Sequence, residues 1–441
     1  MQLAVVGLGY VGLVTATCLA RLGQDVIGLE VDDTKLLALE RGEAPYYEPG
    51  LQPELSQQQR DGRLRFTLDP AEAFTGADVI LICVGTPSSA SGEADLRAVE
   101  TVIETIGRHL AAPSVIALRS TVPVGTTRRL EARLDDLVRE RGVGWRVPVF
   151  ANPEFLRTGR AIEDFLHPSR VVIGTAANAT DEDIERLTTL YRPLEAPLLV
   201  ADAESAELTK NAANAYLATR ISFINELAGL CEATGASVDD VIRGIAADPR
   251  IGGDYLRPGI GYGGSCLPKD VRSMMAMGRQ RGMELLLATA VDAVNQAQPD
   301  RAAARLRGAL GGSLSGQRIA VLGLAFKAGT DDIRDSPALA LTDALHAGGA
   351  EVVACDPKAA TAAQQDRSWL DLRDDPIATA DGADAVVVAT DWPEYLTMDF
   401  AALGHRMRGR IVFDARNALD PSQVTDAGLD YMASGRPDRT S

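Results

Sequence analysis

Hydrophobic residues in this chain fall into short unbroken blocks separated by longer mixed stretches. Residues 3–6, 25–30, 77–84, 114–118, 147–151 and 170–174 are blocks of strand length. Near-continuous apolar strands alternating with amphipathic segments predict a parallel sheet covered by helices on both faces. From 202 to about 298 the blocks disappear. Apolar positions at three- and four-residue spacing over 203–234, with no glycine before Gly229, predict one long helix, and a second helix is expected over 238–245 after the Gly235 break. Strand blocks resume at 318–322, 351–355, 385–389 and 410–413, behind an entrance marked by Gly311, Gly312 and Gly316 with Ser313 and Ser315. The expected fold is α/β: two Rossmann-like, doubly wound parallel-sheet domains joined by a helical central domain. The expected boundaries are 1–200, 201–300 and 313–425, followed by a polar tail over 426–441.

At 441 residues the chain is too long for a single core, and 46% hydrophobic with 24% charged residues is ordinary for a globular protein. The net charge of −17 argues against nucleic acid or an anionic membrane surface as partner, so an anionic ligand needs a local basic pocket. The longest apolar runs fall far short of a membrane span. Strand pattern begins at the N-terminus without a basic, cleavable apolar segment, so no secretory signal is expected. Five scattered cysteines without CxxC spacing fit neither a disulfide framework nor zinc; reducing cytoplasm is the expected compartment and no metal is expected.

Candidate chemistry sharpens this picture. Gly7-Leu8-Gly9-Tyr10-Val11-Gly12 follows the first strand and opens a helix, and Glu30 ends the second strand. In that context the glycines form a dinucleotide fingerprint, with the pyrophosphate at the helix N-terminus and Glu30 on the ribose hydroxyls. The acid would repel a 2′-phosphate, which favours NAD over NADP; the competing reading is a tight turn without ligand. Thr86 and Thr121 stand at further strand ends, where they either meet a ligand or simply form turns. Glu154 ends another strand and could activate a water or form a surface ion pair with an arginine. Lys210 and Asn214 share a helix face four residues apart, suited to stabilising an oxyanion or to facing solvent.

The segment 261–270, GYGGSCLPKD, places Cys266 in a glycine-rich turn beside Lys269 and Asp270. A cation and any helix opening at Pro268 favour the thiolate; the bland alternative is a buried structural cysteine. In the last domain, Gly323-Leu324-Ala325-Phe326-Lys327 follows a strand like a degenerate glycine loop, and Arg334 and Arg416 stand nearby. Lys327 and Arg416 suit a second anion site, unless an ancestral nucleotide site there is empty.

In chain order the motifs GLGYVG, CVGTP, STVPVG, NPEFL, FLHPSRVVIG, KNAANAYLATRISFINE, DPRIG, GYGGSCLPKD, GLAFK and IRDSP resemble the UDP-glucose/GDP-mannose dehydrogenase family over residues 1–420, with UDP-glucose the favoured substrate. The resemblance implies two NAD-dependent oxidations at one sugar carbon, with Cys266 as nucleophile through a thiohemiacetal and a thioester. It implies Lys210 and Asn214 on the developing oxyanion, Asp270 with a water as acid/base, and Glu154 and Thr121 on the hydrolytic water. Toward NAD it implies Gly7, Gly9, Tyr10, Val11, Gly12, Glu30, Lys35, Thr86, Thr121, Thr158, Lys269 and Arg334. Toward the nucleotide sugar it implies Glu154, Phe155, Leu156, Arg157, Lys210, Asn214, Tyr255, Leu256, Arg257, Pro258, Gly259, Gly263, Phe326, Lys327 and Arg416. Arg250 is expected to reach a partner subunit's site, in a homodimer or higher assembly built on the long helix.

Two positions depart from the family pattern: Thr158 stands where relatives carry a second Glu, and Glu30 where Asp is usual. The rival readings are a GDP-mannose or UDP-N-acetylhexosamine dehydrogenase, a β-hydroxyacid dehydrogenase, which needs no thiol, and a non-catalytic NAD-sensing protein.

Overall fold

A computed structural model describes residues 1–89 and 91–438. The chain divides into two compact units, Met1–Ala213 with Ala276–Met283, and Asn214–Met275 with Glu284 onward.

The first unit holds an eight-stranded sheet: β1 Gln2–Val6, β2 Asp25–Leu29, β3 Leu64–Thr67, β4 Val79–Ile82, β5 Val115–Leu118, β6 Val149–Ala151, β7 Val171–Thr175 and β8 Leu198–Asp202. Their order is β3-β2-β1-β4-β5-β6-β7-β8. β1 to β6 run parallel, which requires helical crossovers and buries the central strands on both faces. The expected sheet is corrected at one place: β7 meets β6 antiparallel through Ala151 and Gly174, and β8 then pairs parallel with β7. Of the two edge strands, β3 escapes the apolar-block pattern because Arg65 interrupts it, whereas β8 is apolar over residues 198–201 yet exposes Leu199 and Val200. The order reverses between β1 and β4, and such a switch point opens a crevice beyond the strand carboxyl ends.

In the second unit β9 Arg318–Leu322, β10 Glu351–Cys355, β11 Asp371–Leu372, β12 Ala385–Val388, β13 Ile411–Asp414 and β14 Asp430–Ala433 form an all-parallel sheet, ordered β11-β10-β9-β12-β13-β14. β14 lies within the stretch expected as a polar tail; Tyr431 and Met432 are buried against the core, and residues 439–441 of that stretch lie outside the described residues.

The middle of the chain is helical: Ala203–Thr234, Val238–Ala246, Leu267–Gln280 and Leu286–Ala309. At 32 residues the first spans about 48 Å. Leu208, Tyr216, Phe223 and Leu230 recur along it at seven- to eight-residue spacing and are all exposed. Among the described residues no helix is long and apolar enough to cross a membrane.

Candidate active site

In the first unit β1 ends at Val6 and the chain turns through Gly7, with φ +86°, into the helix Tyr10–Arg21. The three glycines serve different needs. A Cβ on Gly7 would lie 2.6 Å from the Val84 side chain, and one on Gly12 would lie 1.8 Å from the Gly7 carbonyl oxygen. Both are packing requirements between strand and helix. A Cβ on Gly9 would meet nothing within 4 Å, which leaves open space where the first helical amides point. A pyrophosphate fits that opening.

Glu30, buried at the end of β2, accepts from the Leu8 amide at 3.2 Å and the Val31 amide at 2.8 Å, and pairs with Lys35 at 2.9 Å. The carboxylate is thereby fixed beside the glycine loop, where ribose hydroxyls reach an acid in this fold. Lys35 is engaged with Glu30. The Thr86 hydroxyl donates to the Thr121 carbonyl at 2.7 Å, tying the loops after β4 and β5 together.

Glu48 was not anticipated. It is buried, accepts from the Tyr10 hydroxyl of the glycine motif, and accepts from the amides of Gly159 and Ala161 at 2.6 and 2.7 Å. Burial and the neighbouring Glu48 carboxylate push the Tyr10 phenol well above its ordinary range, so it stays protonated and donates. Thr158 shares this cluster through a side-chain hydrogen bond to Tyr10. The only sequence signal for it is an acid inside the turn-rich segment Pro45-Tyr46-Tyr47-Glu48-Pro49-Gly50.

Glu154 and Lys210 form a buried ion pair at 3.2 Å, with side chains only 5% and 3% exposed. Of the two readings of Glu154, a surface pair with an arginine is replaced by a buried pair with the lysine. Phe155 packs beside it, its ring 5.3 Å from the Lys210 ammonium and 3.7 Å from the Arg170 guanidinium. Leu156 donates its amide to Glu154, and Arg157 is engaged with Asp164.

The long helix organises this side of the unit. Glu207, one turn before Lys210, accepts from the amides of Gly125 and Thr127 and from the Thr127 hydroxyl at 2.6–2.7 Å, so it caps the helix Thr126–Glu140. Burial pushes its carboxyl up. Asn211 donates to the Val122 carbonyl at 3.2 Å, so the loop that carries Thr121 is pinned on both sides. Neither residue stood out in the sequence, because a carboxylate and an amide on a long helix look like a solvated face.

In the second unit Cys266 precedes the helix Leu267–Gln280, and its carbonyl accepts the Asp270 amide at 2.9 Å. The thiol therefore sits at a helix N-terminus, which favours the thiolate. Cys18, Cys83 and Cys355 are fully buried, and burial pushes their thiols up to about 12, 12 and 11, so they remain protonated. Cys266 is only half-buried. Asp270, 1% exposed, receives Asn214 Nδ2 at 2.6 Å on one oxygen and the Lys269 ammonium at 2.6 Å on the other. Asn214, Lys269 and Asp270 thus form one cluster. The Arg334 guanidinium, tied to Asp332, is held further toward its charged form, chiefly by that carboxylate, with Cys266 among the smaller contributors.

Other predicted substrate residues gather around the same loop. A Cβ on Gly263 would lie 2.1 Å from the Asp335 carbonyl oxygen, and one on Gly264 would lie 2.7 Å from the Phe326 ring. Lys327 lies 5.4 Å from that ring centroid. Arg416 reaches the Gly261 carbonyl at 3.4 Å, and both Arg416 and Arg257 face Asp391. Tyr255 has φ +61°, Pro258 is buried and Gly259 packs on the Ala415 carbonyl, whereas the Leu256 side chain belongs to a core with Ile224 and Val238. Arg250 is largely exposed and paired with Asp248. Among the described residues no cluster of His, Cys, Asp and Glu could hold a metal ion.

A dinucleotide-binding loop at a switch point of the first sheet defines a nicotinamide-dependent dehydrogenase. The chain belongs to the UDP-glucose/GDP-mannose dehydrogenase family: residues 1–195 match its NAD binding domain, 204–297 its central domain and 320–421 its UDP binding domain. It is 41% identical to a UDP-glucose 6-dehydrogenase of Pseudomonas aeruginosa, over 99% of this chain and 98% of that protein. Among solved structures, a UDP-glucose dehydrogenase from Pyrobaculum islandicum is 37% identical with a TM-score of 0.90, covering 99% of this chain and 98% of the other. A UDP-D-ManNAc dehydrogenase from Pyrococcus horikoshii is 30% identical with a TM-score of 0.86, covering 99% of both chains.

Proposed function

We propose that this protein oxidises UDP-glucose to UDP-glucuronate with two equivalents of NAD and one water, releasing two NADH. The observation that carries the reading is Cys266, half-buried at a helix N-terminus beside the Asn214–Lys269–Asp270 cluster. NAD, held by Gly9, Glu30 and the helix Tyr10–Arg21, supplies the hydride acceptor for both oxidations.

The primary alcohol at C6 loses its hydroxyl proton and a hydride to become an aldehyde. Cys266 Sγ then forms a bond to C6, and the carbonyl oxygen takes the electron pair and a proton to give a thiohemiacetal. Loss of a second hydride from C6, with the hydroxyl proton, leaves a thioester. Water attacks the thioester carbon, the C–S bond breaks, and the thiolate leaves the carboxylate product. The Lys210 ammonium and the Asn214 amide act as donors to the oxyanion. Asp270, through an ordered water, moves the proton at the C6 oxygen, and Glu154 with Thr121 positions and deprotonates the hydrolytic water. Phe326, Lys327, Arg416 and the glycines of the cysteine loop hold the UDP moiety. The exposed stripe Leu208, Tyr216, Phe223 and Leu230 supports burial of the long helix against a second copy, and Arg250 reaches the partner's substrate. The enzyme works in reducing cytoplasm, where its thiols persist.

The test counts NADH per sugar with UDP-glucose, GDP-mannose and UDP-N-acetylhexosamines. Two NADH from UDP-glucose at the highest kcat/KM is the expected result; one NADH per sugar would sink the four-electron reading. Glu154→Gln should accumulate a covalent adduct on Cys266 detectable by mass spectrometry.

A further inference from the structure

The loop that carries the thiol is held almost entirely by borrowed partners. Residues 259–263 form no helix or strand, so each buried backbone group must find its partner elsewhere. Gly259 donates to the Asn225 side chain at 2.8 Å, Ile260 to the Ala415 carbonyl at 3.1 Å and Gly264 to the Arg334 carbonyl at 2.8 Å. Tyr262 differs, because both of its backbone groups go to one side chain. Its amide donates to Asn295 Oδ1 at 2.8 Å and its carbonyl accepts from Asn295 Nδ2 at 3.0 Å. A side-chain amide presented this way supplies the donor and acceptor that a neighbouring strand would offer.

Asn295 stands on the helix Leu286–Ala309, and that helix also packs Ala288 and Val291 into one core with Tyr262 and with Val271 of the cysteine helix. Tyr262 is therefore fixed at its backbone by this helix, which also shares the core in which its ring lies. The flanking geometry is tuned to this contact. Gly261 has φ +103°, and a Cβ there would lie 2.8 Å from Asn295 Oδ1. Between Tyr262 and the helix start at Leu267 lie two glycines, Ser265 and Cys266. A glycine-rich span of four residues keeps a defined path only when both ends are fixed, and Asn295 fixes the end that no secondary structure holds.

We propose that Asn295 is a positioning residue for Cys266, holding the thiol at attack distance from the aldehyde. The inference rests on the reading of Cys266 as the nucleophile. Removal of the first hydride needs no C–S bond, whereas the second oxidation does, so misplacing the thiol penalises the second oxidation selectively.

The experiment compares Asn295→Ala, Asn295→Asp and Cys266→Ala with wild type, on the full chain with UDP-glucose and NAD. It reads NADH per sugar, released aldehyde by carbonyl trapping, dissociation constants for UDP-glucose, and the pH dependence of Cys266 alkylation by iodoacetamide. For Asn295→Ala the stoichiometry should fall from two toward one with aldehyde released, and the second step should slow by about 10- to 100-fold. The alkylation profile should change, while UDP-glucose binding weakens by less than the second step slows, because Phe326 and Lys327 do not depend on Asn295. Asn295→Asp, which keeps the acceptor for the Tyr262 amide, should recover part of the loss and decides the matter if the alanine variant does not fold. If Cys266→Ala still yields two NADH, the nucleophile reading fails whatever Asn295 does. If Cys266→Ala stops at one while the Asn295 variants give two NADH with unchanged alkylation, even at a lower melting temperature, the role of Asn295 is overturned alone.

Discussion

Both sheets follow the order 3-2-1-4-5-6 about their first strand and both place a glycine with positive φ after it, yet the two loops have opposite fates. Gly7 donates to the Leu29 carbonyl and Gly323 to the Cys355 carbonyl at nearly equal distances, 2.9 and 2.8 Å. Beyond that point they diverge. After β1 a helix opens at Tyr10 and Gly9 stays open. After β9 the next helix waits until Pro337, Ala325 occupies the place of the second glycine, and the loop closes on itself. The amides of Leu324 and Ala325 go to Asp356, and that of Phe326 goes to the Asp332 carbonyl.

The acid at the end of the second strand follows the same division. Glu30 accepts from the amides of Leu8, Val31 and Asp32 and from a lysine. Asp356 accepts from four amides and the Trp392 indole, five donors on two oxygens, and has become part of the scaffold. A shared topology therefore carries a cofactor cradle in one unit and a closed loop in the other. The second unit must hold its nucleotide with side chains, and in the function proposed above these are Phe326, Lys327 and Arg416.

The comparison breaks most visibly at Gly9. Gly9→Val should leave the melting temperature nearly unchanged and weaken NAD binding on the order of 100-fold by calorimetric titration, since the new side chain meets only the ligand's path. Wild-type affinity in that variant would mean that the open loop is not the cradle. Next in size, Asp356→Ala should cost about 3 kcal/mol in urea unfolding by removing the acceptor of four buried donors and one half-buried one, with NAD affinity intact. A variant as stable as wild type would place Asp356 in ligand binding instead. Glu30→Gln should then reduce discrimination against NADP roughly tenfold in kcat/KM, because the charge opposing a 2′-phosphate is gone.

The smallest effect concerns Glu207. Its folded-state carboxyl is raised above 4.5 by burial, so the native state holds that proton more tightly than the unfolded chain. Its contribution is full below the unfolded value and declines as pH rises through the window up to the folded value. Glu207→Gln should flatten that decline in the melting temperature; an identical pH profile would show that Glu207 does not titrate differently on folding.

Much of this was legible beforehand for a simple reason. Strands buried on both faces must be apolar throughout, so β1, β2, β4 and β5 and the core strands of the second sheet announce themselves, and the helix Ala203–Thr234, with no breaker before Gly229, does the same. Edge strands β3, β8, β11 and β14 did not, because their side chains answer to neighbours rather than to a period. Cys266, Lys269 and Asp270 were readable because chemistry-bearing types stand side by side in a glycine-rich turn. Asn295, Asn225, Glu207 and Glu48 were not, since each acts on a segment at least 33 residues away in sequence.

The sequence by itself determined the α/β class, the order of elements, the glycine fingerprint and the cysteine loop, all of which depend on residues close together along the chain. Tertiary structure alone decided that Glu154 pairs in burial with Lys210, that Asp270 collects Asn214 and Lys269, and that only the first of two similar loops stays open. Those outcomes depend on which distant groups desolvate one another, and a buried polar group takes its role from the partner that folding brings to it.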